Sequence, residues 1–213
     1  MTNHWTFNNE KLAKDFDSYV KSQLPWYDLA TKLVVQICEN YLPVENGVLY
    51  DIGASNGNIT RSMSSLLSNR KVDAISLESS YQMCSQWCGY GEILHCDAIN
   101  HDYKDFDVAV CFLALMFLPV SELRYFMENL KSKCKSGGCI VFVEKFQAPK
   151  GYAGTVIRRM TLKQKMESGV TAQEIIEKEL SLSGVQRPLS DVYKTESCFF
   201  KVGEFEGYIY EKP

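Results

Sequence analysis

The residues best placed for ligand chemistry sit at the ends of successive apolar runs. The first run, Val48-Leu49-Tyr50-Asp51-Ile52, passes through Gly53-Ala54-Ser55-Asn56-Gly57 into an apolar periodicity at Ile59, Met63, Leu66 and Leu67. That is a buried strand, a glycine loop and a helix. The two loop glycines stand four apart with an acid just before the first, so the pattern is not G-x-G-x-x-G. A dinucleotide loop aims backbone N–H groups and a helix N-terminus at a pyrophosphate. Asp51 beside that anion would be repelled. It suits a ligand with a cationic group and no phosphate, while Gly53, lacking a Cβ, lets the ligand lie against the backbone.

S-adenosylmethionine (SAM) has that chemistry: an α-ammonium, a sulfonium and an adenosine. Glu78, at the end of the second apolar run, offers a carboxylate to both ribose hydroxyls. Met83, five residues on, offers a flexible thioether to an adenine face. Asp97, closing His95-Cys96-Asp97-Ala98, can accept from an adenine amino group. Singly, each has a plain reading: turn, cap or core. Their order at consecutive strand ends favours a shared ligand.

The elements that would position them alternate. Helical spacing is expected over about Asn9 to Val20 and over Trp26 to Tyr41, the latter opened by Pro25. Strands are expected at Val48–Ile52, Val72–Leu77, Glu92–Cys96, Asp107–Phe112 and Cys139–Glu144. Helices are expected after Gly57, at Tyr81–Cys88 and through Leu123, Phe126, Met127 and Leu130, with Gly137-Gly138 as a stop before the fifth strand. A basic segment, Lys150 to Gly169, and a helix through Ala172, Ile175, Ile176 and Leu180 follow. Short strands near Asp191–Lys194 and Gly207–Tyr210 close the chain. Apolar strands without strict alternation, separated by helices, imply a mostly parallel sheet covered on both faces. The expected fold is a doubly wound, Rossmann-like α/β sheet of seven strands with a C-terminal antiparallel hairpin. It would be one domain over 1–213, with residues 1–45 as a helical lid and 147–170 as an insertion beside an acceptor pocket. Such a sheet binds its ligand beyond the carboxyl ends of its strands.

Composition narrows the function classes. Of 213 residues, 46% are hydrophobic, which fits a globular chain, and 23 basic against 26 acidic residues give a net charge of −3. That balance disfavours a protein devoted to nucleic acid or an anionic membrane. The most apolar stretch, Val108 to Val120, is too short to span a bilayer, and the N-terminus lacks a secretory signal. Eight cysteines without a C-x-x-C pair read as reduced thiols of a cytoplasmic protein. No ligand spacing suggests a metal site.

The segment from about Val48 to Phe146 resembles the class I SAM-dependent methyltransferases. Asp51 to Gly57 matches that family's first motif, Glu78 its ribose acid, Asp97-Ala98 its adenine pair, and Ser136-Gly137-Gly138 its turn before the fifth strand. A narrower resemblance is to the carboxy-SAM synthases. It is carried by Phe16-Asp17, Pro25-Trp26-Tyr27, Glu78-Ser79-Ser80-Tyr81-Gln82-Met83, Phe117-Leu118 and Glu144-Lys145-Phe146. Together these resemblances imply SAM or S-adenosylhomocysteine (SAH) held by Tyr27, Asp51, Gly53, Ala54, Ser55, Glu78, Ser79, Met83, Asp97, Ala98 and Phe112. The narrower one also implies carboxy-SAM formation from SAM and prephenate, for modification of tRNA wobble uridine. Two positions depart from it. Phe112 replaces an asparagine, and Glu179 stands near the place of an arginine that holds the extra carboxylate. A carboxylate does not hold a carboxylate, so the expectation is a methyltransferase with a small-molecule acceptor that makes carboxy-SAM poorly. A SAM-binding module without catalysis is the third reading.

The acceptor end is less legible. Phe112 to Pro119 is apolar, unlike the polar element that holds a flipped base, so DNA is not an expected substrate. Glu144, Lys145 and Tyr27 are the catalytic candidates, with an exposed ion pair as the plain reading of the first two. Arg158, Arg159, Lys163 and Lys165 could receive a carboxylate or phosphate, or form a solvated face. Cys198-Phe199-Phe200 could line the pocket, and His95 and His101 could serve as bases. Phe16, Tyr19, Trp26 and Tyr27 are expected in the lid. The oligomeric state is open, with a homodimer among the options.

Overall fold

The structure is a computed structural model that describes residues 10–195 and 197–213. The first nine residues of the expected lid, and Asn9 at the start of its first helix, lie outside them.

Nine α-helices and seven strands are formed by the described residues: α1 Glu10–Lys14, α2 Phe16–Gln23, α3 Tyr27–Tyr41, β1 Val48–Ile52, α4 Asn58–Ser62, α5 Ser64–Asn69, β2 Asp73–Glu78, α6 Tyr81–Ser85, β3 Glu92–His95, β4 Phe106–Phe112, α7 Val120–Lys133, β5 Cys134–Lys145, α8 Tyr152–Glu167, α9 Ala172–Ser181, β6 Ser197–Val202 and β7 Phe205–Glu211. The strands form one sheet in the order β3-β2-β1-β4-β5-β7-β6. β1 to β5 pair in parallel, and β7 runs antiparallel to both β5 and β6. The order reverses between β1 and β4, which opens a crevice at their carboxyl ends.

Side chains alternate across each strand. Leu49, Val108, Val110 and Val141 pack on one face with Ala30, Val34 and Cys38 of α3. Tyr50, Ile52, Ala109, Ile140 and Phe142 pack on the other with Phe126 and Leu130 of α7. Both faces are covered, which is why the strands read as continuous apolar runs. Burial of each large side chain contributes roughly 1.5–3 kcal/mol.

Three expectations about the elements are corrected. Gly137-Gly138 does not precede β5 but lies within it. Gly137 takes φ +76°, and a Cβ on Gly138 would meet the Asp107 carbonyl oxygen at 2.5 Å. The irregularity is absorbed by a register shift against β4 between Phe106 and Val108. Asp191–Tyr193 is a 3-10 turn, and the partner of β7 is β6, whose Phe199 and Phe200 suit a pleated surface. The helix after Gly57 is broken at Met63, which takes φ −119°, into α4 and α5.

Candidate functional site

The loop after β1 is fixed by backbone geometry. Gly53 takes φ +70°, and a Cβ there would sit 2.6 Å from the Ala114 Cβ, so only glycine fits. The Gly53 and Ala54 N–H groups both donate to the Leu77 carbonyl, at 2.8 and 3.0 Å, which joins this loop to β2. Glu78 completes the joint. Its Oε2 accepts from Ser55 N at 2.8 Å and its Oε1 from Ser80 N at 2.7 Å. Burial raises the Glu78 pKa, opposed by these N–H donors. Asp51, 1% exposed, has one carboxylate oxygen with no hydrogen-bond partner. Burial and then the Glu78 charge push its pKa up to about 7. A buried acid with an unpartnered oxygen and a second acid nearby favours a cationic ligand.

One cavity gathers most of the residues singled out in the sequence. Tyr27, Asp51, Gly53, Ala54, Ser55, Glu78, Ser79, Asp97, Ala98 and Phe112 all line it. Met83 does not. It is fully buried and packs in the core below, so the expected thioether cover over adenine is corrected to a core role. Asp97 also caps a 3-10 turn, accepting from Ile99 N at 3.0 Å and Asn100 Nδ2 at 2.9 Å. The Tyr27 ring meets Phe112 edge-on at 5.2 Å, and burial drives its phenol pKa well above the usual range.

The roof comes from α2 and its link to α3. Phe16, Tyr19, Val20, Gln23 and Leu24 face the cavity. Trp26 instead packs on Phe200 and Phe205, with ring centroids 5.0 and 4.9 Å away. Asp17 pairs with Arg61 of α4 at 2.6 Å, and Arg61 also donates to the Asn56 carbonyl at 3.4 Å. Gln23 is buried, and its Oε1 has no partner. Nothing in the local sequence pattern marked it.

At the far end, Glu144 and Lys145 diverge. Glu144 is fully buried and is no exposed ion pair. It accepts backbone N–H groups from Ala114 and Leu115, each at 2.8 Å, and from Met116 at 3.3 Å. Burial raises its pKa to about 8 against those donors. It thereby ties β5 to the loop after β4, where Leu113 takes φ +60°. That places Glu144 behind the cavity wall, not among the residues that line it. Lys145 does line the cavity and donates to Gln186 Oε1 at 3.4 Å.

Of the four basic candidates, Arg158 and Lys165 line the cavity, while Arg159 and Lys163 lie outside its lining. Lys178 and Glu179 of α9 also face it. Lys165 is 7% exposed and pairs with Glu179 at 3.5 Å. Lys178 stands over the Tyr19 ring, 4.6 Å from its centroid, and burial and the Lys165 charge push its pKa down to about 7. Sequence reasoning missed Lys178, though a signal existed: it falls between the buried Ile175 and Leu182 at helical spacing, where a charge is costly. His95, His101 and Cys198-Phe199-Phe200 stand outside the lining. His95 Nε2 lies 3.1 Å from the Ser79 carbonyl oxygen, and His101 packs against Tyr50 and Tyr103. Among the described residues no group of three His, Cys, Asp or Glu could hold a metal ion, and no helix is long and apolar enough to cross a membrane.

A glycine loop after β1, an acid after β2 and an acid after β3 open onto one crevice of a β3-β2-β1-β4-β5-β7-β6 sheet. The solved magnesium protoporphyrin IX methyltransferase of Synechocystis, with bound SAH, aligns over 97% of this chain and 96% of its own, with TM-score 0.61 at 12% identity. The fold is that of a class I SAM-dependent methyltransferase. A second solved structure, that of a proposed SAM-dependent methyltransferase of Methanococcus maripaludis, aligns over 100% of this chain and 96% of its own, with TM-score 0.56 at 16% identity. In sequence the chain is similar to carboxy-SAM synthases. It is 28% identical to that of Staphylococcus epidermidis over 191 residues, covering 87% of this chain and 83% of the relative. With that of Pectobacterium atrosepticum it shares 26% over 211 residues, covering 95% and 84%. No family model matches the chain.

Proposed function

We propose that this protein is a SAM-dependent transferase acting on a small molecule. The observation that carries this reading is Glu78. Its carboxylate is held at the end of β2 by the backbone N–H groups of Ser55 and Ser80, with Ser79 beside them, and it lines the cavity where it can accept from the hydroxyls of a ribose. The unpartnered oxygen of Asp51 fits the α-ammonium of SAM, and Gly53 lines the cavity beside it. SAM supplies an electrophilic carbon on a sulfonium. The chain's own part is to orient that ligand, to exclude water under α2 and to hold the acceptor in line. Within a single domain, α2 and its link to α3 act as the lid and 147–170 as one wall of the acceptor pocket. Cytoplasmic residence belongs to this reading, supported by eight cysteines, all free. Titration calorimetry with SAH tests the donor site. Micromolar or tighter binding supports it, and no binding refutes it.

Carboxy-SAM formation is the second reading, and one observation favours it beyond the relatives' names. The objection from sequence was a lone Glu179 facing a carboxylate. Glu179 instead stands among Lys145, Arg158, Lys165 and Lys178, so the sign of the wall is positive. Incubation with SAM and prephenate, followed by mass spectrometry of the nucleoside, separates the two. Carboxy-SAM at about 1 per second or faster favours synthesis. Absence of that product alongside tight SAM binding favours a methyltransferase with its own acceptor.

A further inference from the structure

We propose that Glu179 is a built-in counter-anion of the acceptor end: it holds Lys165 until an acid group of the ligand takes its place, and so sets both the affinity and the charge selectivity of the site. The inference rests on reading this cavity as the active site of a SAM-dependent transferase.

The charged groups that face one another here come from four elements. β5 gives Lys145, α8 gives Arg158 and Lys165, α9 gives Lys178 and Glu179, and the β6–β7 turn gives Glu204. Three lysines and two carboxylates thus share a partly dry space, and Arg158, itself exposed, adds a fourth cation to the lining. Such an excess of one sign is costly unless a ligand balances it. The strain is visible in the lysines themselves. Lys165, the most buried, is lowered in pKa by burial and by Lys145, with Glu179 opposing, and Lys178 is lowered by burial and by Lys165.

The Lys165–Glu179 pair looks made to open. Its 3.5 Å separation exceeds the 2.7–2.9 Å of a tight charge-assisted hydrogen bond. The Glu179 side chain keeps 33% exposure, against 9% for that of Lys165, so the carboxylate can turn to water at little cost while the ammonium stays in the wall. The α9 backbone need not move. A capping box of Thr171 and Glu174 fixes its start, and buried Ile175 and Leu182 fix its packing. A change of rotamer at Glu179 suffices to free Lys165 for a carboxylate between α8, α9 and β5. A neutral ligand gains nothing from that exchange, and a cationic one is repelled.

The test uses the full chain saturated with SAH, titrated with malonate as a small dicarboxylate probe and with dimethyl malonate as its uncharged counterpart. Glu179→Gln should bind malonate about tenfold tighter than the wild type, the size of one partly screened charge contact removed. Lys165→Met should bind it about tenfold weaker, and the double variant should behave like Lys165→Met alone. Glu179→Ala repeats the gain without the amide, and thermal melting of each variant confirms folding. Equal or weaker malonate binding by both Glu179 variants overturns the proposal, as does a comparable gain for dimethyl malonate. If Lys165→Met weakens SAH but not 5′-methylthioadenosine, the cations hold the donor's own carboxylate and the proposal also falls. Failure of the wild type to bind SAH at all overturns the donor-site reading instead, a result seen before any malonate is added.

Discussion

Replacing Glu78 probes the donor site most directly. Its oxygens already accept backbone N–H groups from Ser55 and Ser80, with Ser79 beside them, and the proposed ribose would add its two hydroxyls as further donors. Hydrogen bonds to a charged group are worth roughly 1.5–3 kcal/mol each. Glu78→Ala removes two, so SAH binding should weaken by about 4 kcal/mol, close to a thousandfold. Glu78→Gln keeps one acceptor oxygen, so its loss should be about 2 kcal/mol, near thirtyfold. The ordering separates ribose recognition from a mere disturbance of the loop, because Gln retains most of the packing of Glu. Titration calorimetry at pH 7.5 gives both constants, and thermal melting checks that each variant is folded. A folded Glu78→Ala that binds SAH within about threefold of the wild type would refute the assignment.

Other outcomes follow from neighbouring residues. Asp51 must be ionised to hold an ammonium, and its pKa stands at about 7, so SAH affinity should fall as pH drops below 7; Asp51→Asn should bind weakly with a flatter profile, measured by the same titration between pH 5.5 and 8. Gly53→Ala collides with the Ala114 Cβ at 2.6 Å, and Ala114→Gly should recover part of the lost SAH affinity, the φ strain remaining; no recovery would mean the collision is not what matters. Glu144→Ala strands three backbone N–H groups and should cost about 3 kcal/mol, a fall in Tm of roughly 6–12 °C by calorimetry. Lys178 has a lowered pKa in the folded protein, so its charge costs stability fully below pH 7, and the cost fades as pH rises toward its usual range. Lys178→Met should therefore raise Tm more at pH 6 than at pH 9.

The residues of the proposed donor end could be picked out because their signals are local. Asp51 and Gly53 stand on a strand–loop–helix unit whose geometry is fixed within ten residues, and Glu78 and Asp97 recur at the same place on the next strands. Met83 misled because it lies on the short helix α6, whose inward face packs on the core, and it stands on that face. The acceptor half depends on contacts between distant segments. Nothing near Glu144 says that three N–H groups from residues 114–116 will cover it. Lys178 lay within an ordinary amphipathic helix, its meaning set by Tyr19, 159 positions earlier. The last hairpin was placed correctly at β7 but not at its partner, because the 3-10 turn at Asp191–Tyr193 and the strand after it carry similar short polar–apolar patterns.

The end of β5 holds a division of labour that a single slip would destroy. Glu144 and Lys145 are adjacent, so the pleat sends them to opposite faces, one under the loop after β4 and one into the cavity. If the strand moved by one residue against its neighbours, then according to the direction either Lys145 would lie beneath three N–H donors with Phe146 in its old slot, or Val143 would lie there with Glu144 turned into the cationic cavity. Both halves of the site would then fail together. Seven consecutive pairings with β7, from Cys139–Glu211 to Lys145–Phe205, make that slip costly. The C-terminal hairpin, far in sequence from any ligand residue of the first half, thus acts as the vernier that keeps the two charges in their assigned slots.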